Sequence, residues 1–134
     1  VVIASNHRWS NRKNLQPEEL IEQPFILSSR GSGTRQIIRD RLRKKGVVLK
    51  NCIEFGNTEA VKKAVESGIG ISILSKYVVS RELKAGTVKA IRLLGTNLKR
   101  GVFLIYHRDK YLTNIVKSFM HLFASSDEQH GPLP

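Results

Sequence analysis

Between residues 25 and 86 a strand-like apolar run, a tight turn and an amphipathic helix stopped by glycine occur three times in succession, and this recurrence limits the fold more than any other feature. Phe25, Ile26 and Leu27 run into the turn Ser28-Ser29-Arg30-Gly31-Ser32-Gly33-Thr34. Ile37, Ile38 and Leu42 then share one helical face before Gly46. Ile53, Glu54 and Phe55 lead through Gly56, Asn57 and Thr58 into a helix striped by Ala60, Val61, Ala64 and Val65 and closed by Gly68. Residues 69–74 are short, β-branched and apolar on both faces, as a buried parallel strand is. Ser75 then caps a helix that turns Tyr77, Val78, Val79 and Leu83 inward and ends at Gly86, before another strand at 88–93. Hydroxyl and amide side chains accept from the first free N–H groups of a helix, and glycine supplies its left-handed stop. Strands joined by helices return to one sheet through right-handed crossovers. The chain therefore predicts an α/β fold, an open and mostly parallel sheet with helices on both faces.

Outside this centre the pattern is weaker. Val1 to Ala4 read as the end of a strand, and residues 5–14 as a polar surface loop without periodicity. Pro17 opens a short helix with Glu18 and Glu19 near its positive end and Leu20 and Ile21 toward the core, and Pro24 ends it. Residues 102–107 read as one more strand. Thr113 caps a last helix with Ile115, Val116, Phe119, Met120 and Phe123 on one side, and a polar, mobile tail starts at residue 125. With 134 residues, 40% of them hydrophobic, the chain has the size of one domain with its own core. The longest apolar run is broken by Gly70 and Ser72 and falls short of the roughly 20 residues that span a bilayer, so no membrane partner is expected. The chain opens on Val1 without a charged leader and apolar segment, which reads as a cut inside a longer cytoplasmic protein. The single cysteine, Cys52, reads as a buried packing thiol in a reducing compartment.

Enzyme motifs fail residue by residue. Gly31-Ser32-Gly33 has Gln36 where the third glycine of a dinucleotide loop belongs, and it lacks the Gly-Lys-Ser/Thr of a nucleotide P-loop. Gly68-Ile69-Gly70 has Ile73 in that place and is better explained as a helix cap followed by close packing. Ser32 is no nucleophile elbow, because Arg30 and Thr34 occupy the flanking glycine positions. His7, His107, His121 and His130 lack metal-ligand spacing, and neither Glu18 with Glu19 nor Asp127 with Glu128 suits acid/base work. No catalytic residue, metal or cofactor is expected.

Two turns remain, one carrying Ser29, Gly31, Ser32, Gly33 and Thr34, the other Asn57 and Thr58. Each joins the carboxyl end of a strand to the amino end of a helix, where open α/β sheets bind ligands. The first N–H groups of a helix, with nearby hydroxyls and an amide, suit a carboxylate, sulfate or phosphate. The same residues also serve as ordinary helix caps, and both readings fit. A net charge of +12, from 23 Lys and Arg against 11 Asp and Glu, fits attraction to small anions, nucleic acid or anionic lipid without choosing among them.

Pro24-Phe25-Ile26-Leu27, Gly31-Ser32-Gly33-Thr34-Arg35, Glu54-Phe55-Gly56-Asn57-Thr58-Glu59-Ala60-Val61-Lys62 and Gly68-Ile69-Gly70-Ile71-Ser72-Ile73-Leu74-Ser75 follow one another in a telling order and spacing. Together they resemble the effector-binding region of LysR-type transcriptional regulators over residues 1–124, with His7-Arg8-Trp9 where that family usually has a His-Pro pair. The resemblance implies a type 2 periplasmic-binding-protein-like fold of two α/β lobes joined by crossing strands, with a small effector held between them and no enzyme activity. It further implies crossings at 25–28 and 99–101, so that 25–101 is the complete second lobe with its crossing strands. Residues 1–24 and 102–124 would be parts of an incomplete first lobe, and 125–134 the tail. The implied partners are a small anionic effector and a second subunit, with DNA reached only through a helix-turn-helix segment that this chain lacks. Two other classes stay open: a nucleic-acid module using Arg35, Arg39, Arg41, Arg43, Lys44 and Lys45, without interleaved aromatic residues, and the solute-binding protein of a transporter.

Overall fold

The structure, a computed structural model, describes residues 1–99, 101, 103–109 and 111–128. It divides into two compact units, Val1–Leu98 and Lys99–Pro134. In the first unit the strands β1 (Val2–Ala4), β2 (Asn14–Leu15), β3 (Phe25–Ser28), β4 (Cys52–Phe55), β5 (Val88–Ala90) and β6 (Arg92–Leu93) alternate with α1 (Gly33–Arg43), α2 (Thr58–Glu66) and α3 (Ser80–Ala85). A short 3-10 helix occupies Pro17–Leu20.

Backbone pairing lays these strands side by side. β1 runs antiparallel to β5, with Val2 opposite Ala90 and Ala4 opposite Val88. On its other side the Val2 N–H donates to the Ser72 carbonyl at 2.7 Å, and the Ser72 N–H returns to Val2 at 3.1 Å. The Ile26 N–H donates to Ile71 at 2.7 Å and the Ile71 N–H to Pro24 at 2.8 Å. β3 in turn runs parallel to β4, from Phe25 opposite Cys52 to Ser28 opposite Phe55. The lateral order is thus β5, β1, residues 71–72, β3, β4, and β1 alone runs against the others. β2 pairs separately with β6, in parallel.

Strand alternation explains the two cores. Successive side chains point to opposite faces. Ile3, Phe25, Leu27, Ile71 and Ile73 accordingly join Ile38 and Leu42 of α1 on one face. Val2, Ile26 and Val88 join Val61, Ala64 and Val65 of α2 on the other. Ser72 is buried on that second face, where its hydroxyl donates to the Ile26 carbonyl at 2.8 Å. Each fully buried side chain of the size of Phe25 or Ile26 contributes about 1.5–3 kcal/mol over the exposed state. Gly46, Gly68 and Gly86 close the three helical segments at φ of 74°, 75° and 72°, where a side chain would be strained.

Several elements differ from the sequence expectation. Cys52 is exposed, because β4 is an edge strand whose only described partner is β3, and Ile53 and Glu54 are exposed with it. Of the apolar run 69–74, Ile69 is exposed and only Ile71 and Ser72 bridge to neighbours. The expected 88–93 strand breaks at Ile91 into β5 and β6. Tyr77 and Val78 face solvent ahead of α3, while Val79 is buried. Residues 25–28 form a strand paired on both sides, within the unit Val1–Leu98.

The segment at 5–14 is anchored rather than loose. Trp9 is buried in the first core, His7 meets it edge-on at 5.1 Å between ring centroids, and the Arg8 and Arg12 guanidinium carbons lie 5.5 and 5.9 Å from its ring. Arg12 also makes a two-pronged salt bridge to Glu19, whose other bond is to the Gln16 N–H at 2.8 Å. The Trp9 N–H donates to His7 Nδ1 at 3.1 Å, which requires that nitrogen to be unprotonated. Burial and then the neighbouring Arg8 charge hold the His7 pKa below its ordinary value. The unfolded chain therefore takes up the proton first as pH falls. Stability at His7 is complete above about pH 6.5 and declines below it. Urea midpoints recorded between pH 7.5 and 5 should fall more for the native chain than for His7→Gln, and equal slopes would refute this.

In the second unit α4 (Asn114–Glu128) starts behind Thr113, whose hydroxyl accepts from the Val116 N–H at 3.4 Å. The helix continues through residues 125–128, expected as a mobile tail. Residues 129–134 lie outside the described residues. Ile115 and Phe119 of its apolar side are exposed in this unit. The strand expected at 102–107 is absent from the described residues 103–107, and Val102 lies outside them. No helix among the described residues is long and apolar enough to cross a membrane.

Candidate functional site

The register of β3 on β4 places the two turns. Ser28 and Phe55 are opposite one another in parallel strands, so the chain leaves both at neighbouring points of one sheet edge. Ser29, Gly31, Ser32, Gly33 and Thr34 occupy the first turn and the start of α1, and Asn57 and Thr58 the start of α2. Residues 71–72 run beside β3 in the same direction.

Both cap residues do structural work. The Asn57 side-chain oxygen accepts from the Ala60 N–H at 2.8 Å, and the Ser32 hydroxyl accepts from the Arg35 N–H at 3.5 Å, a long contact. One cap acceptor cannot satisfy every N–H of a first helical turn, so donors remain at both starts. Gly31, Gly33 and Gly56 have no positive φ, and a methyl group added to any of them would meet nothing within 4 Å. The space before these backbones is open to an approaching ligand, which is a recognised use of glycine.

A buried cation stands behind the first turn. In sequence Arg35 stands among the cations of the basic helix, but the structure buries it. Its side chain is only 10% exposed, and Nη1 donates both to the Ser28 carbonyl at 2.9 Å and to Glu54 Oε2 at 2.7 Å. It ties the end of β3 to β4 and α1. The Arg35 hydrogen bond holds the Glu54 carboxyl below the usual carboxylate range, and the charges of Arg35 and Arg30 act in the same direction. Arg35 is thereby removed from any nucleic-acid surface on α1, leaving Arg39, Arg41, Arg43, Lys44 and Lys45 exposed. Lys62 is likewise buried, bonded to Glu82 at 2.7 Å and Glu59 at 3.1 Å, and those bonds raise its pKa. It braces α2 against α3. Hydropathy periodicity missed both residues; the spacing Arg35 to Glu54 across successive strand-helix units was the available hint.

Comparison with known proteins gives this geometry its context. A match to the family described as LysR substrate binding domain covers residues 1–127. The chain is 37% identical over 98% of its length to the RuBisCO operon transcriptional regulator of Acidithiobacillus ferrooxidans, of which it covers 43%. It is 32% identical over 96% of its length to the HTH-type transcriptional activator CmpR of Synechocystis, covering 42%. The chain thus spans less than half the length of these relatives. Among solved structures it superposes on the Synechocystis PCC6803 CcmR regulatory domain in complex with 2-PG, with a TM-score of 0.75, 22% identity and coverage of 93% of this chain and 60% of that one. The effector binding domain of QuiR in complex with shikimate gives a TM-score of 0.70 at 19% identity, covering 98% and 61%. These likenesses show the periplasmic-binding-protein-like α/β fold. The family and its relatives are transcriptional regulators rather than enzymes, and this chain belongs to the LysR family as an effector-binding domain.

Proposed function

We propose that the chain senses a small anionic effector at the edge formed by Ser29 to Thr34 and Asn57 to Thr58, as part of a cytoplasmic DNA-binding regulator that self-associates. The observation that carries this reading is the parallel register of Ser28 with Phe55, which sets two helix starts and three approachable glycines beside each other. A carboxylate or phosphate there accepts from backbone N–H groups and interacts favourably with both helix dipoles. The 2-PG and shikimate complexes of the CcmR and QuiR domains support an effector of this kind. Effector binding between lobes favours one arrangement of the regulator over another only by the difference in its affinity for the two.

Titration of the isotopically labelled chain with shikimate, 2-PG, inorganic phosphate and sulfate tests the site. Saturable shifts of the backbone amides of Ser32, Gly33 and Thr34 together with those of Asn57, Thr58 and Glu59 are expected for at least one of them. A chain whose two sets stay still with all four anions does not use this edge.

A further inference from the structure

A second group of side chains beside α1 has the composition of a ligand site that neither the fold nor the sheet edge accounts for. Arg30, Arg35, Gln36, Arg39 and Asp40 line one depression. Arg35 and Arg39, like Gln36 and Asp40, are one helical turn apart and so share a face. The side chain of Arg35 is nine-tenths buried, yet its bonds to Ser28 and Glu54 both leave from Nη1. Nε and Nη2 have no hydrogen-bond acceptor among the described residues. Arg39 and Asp40 form no ion pair among the described residues either, and both are exposed. Arg30 is held only loosely, with Nε 3.7 Å from Glu54.

We infer that this depression binds a small oxyanion that also carries a hydroxyl group, such as a phosphate ester of a polyol or a hydroxycarboxylate. Planar guanidinium groups match the paired oxygens of phosphate and carboxylate, and the unused donors of Arg35 are already fixed in place by its bonds to the fold. Asp40 decides the class of ligand. An ionised carboxylate only accepts hydrogen bonds, so it repels a bare phosphate but accepts from a ligand hydroxyl, while the Gln36 amide can serve either part. Because Glu54 is matched by Arg35, the remaining charges are Arg30 and Arg39 against Asp40, which favours an anion.

The test follows the arginine Nε–H signals of the whole chain during titration with glycerol 3-phosphate, inorganic phosphate and, at matched ionic strength, sodium chloride. Saturable shifts of the Arg35 and Arg39 signals are expected, with glycerol 3-phosphate bound more tightly than phosphate. Arg39→Gln, an exposed change that leaves the Arg35 bonds intact, should raise the Kd about two- to fivefold, the range of an exposed ion pair. Asp40→Asn should bring the Kd values of the two phosphates together. The inference fails if chloride reproduces the shifts, if Arg39→Gln binds as the native chain does, or if the preference survives in Asp40→Asn. Amides of Asn57 to Glu59 report the sheet edge separately. Their response without the arginine signals overturns this inference alone, and the reverse upholds it, the effector edge failing only if shikimate, 2-PG and sulfate also leave those amides still.

Discussion

Gly70→Ala is expected to lower the unfolding free energy by about 3 kcal/mol, the upper range for forcing atoms into a packed interior. A Cβ there would collide with the Pro24 carbonyl oxygen and lie 3.0 Å from its carbon and 3.2 Å from Ile26 Cγ1. Escape is blocked, because the same Pro24 oxygen accepts the Ile71 N–H at 2.8 Å, and moving it away would open the sheet between β3 and residues 71–72. A domain holds roughly 5–15 kcal/mol in total, so the loss is a large part of its stability. Gly31→Ala is the control, since a methyl group there meets nothing within 4 Å. Equal urea midpoints for the two variants would show that the close approach at Gly70 is not a constraint.

Phe25→Ala should lose about 3–5 kcal/mol, the transfer of the ring plus the cavity it leaves. Phe25 is fully buried and stands in β3 with neighbours on both edges, Cys52 of β4 on one and Ile71 on the other. Few side chains around it can collapse inward without disturbing that pairing. Ile53→Ala in the exposed edge strand removes apolar atoms from a site 38% exposed, and should lose much less. Chemical denaturation of both variants checks the contrast, which fails if their losses are alike.

The parts of the fold that were legible in the sequence share a physical cause. Apolar spacing and helix punctuation are local properties, so α1, α2, β3, β4 and the left-handed stops at Gly46, Gly68 and Gly86 could be read from short windows. Partnership across the sheet is not local. Arg35 looked like one more solvated cation because its partners, Ser28 and Glu54, are 7 and 19 residues away. Cys52 reads as interior because free cysteines are usually buried, but a residue is buried only where something covers it, and β4 lies at an edge. Trp9 sat in a stretch without periodicity, yet its ring is buried by core contacts and two arginines. Of the candidate site, the residues of both turns were legible as strand-to-helix junctions. Their adjacency depended on register, which only the paired backbones define.

The place of β1 between β5 and residues 71–72 governs the order in which the unit can be assembled during translation. Residues 2–4 leave the ribosome before the other strands of this unit, yet the partners on their two sides, Ser72 and Ala90, are made some 70 and 88 positions later. Such long-range closure slows folding and keeps apolar strands uncovered meanwhile. β3 and β4 can pair as soon as residue 55 has been made, whereas Val2 and Ile3 must wait, unsheltered, for almost the whole of the unit to be synthesised.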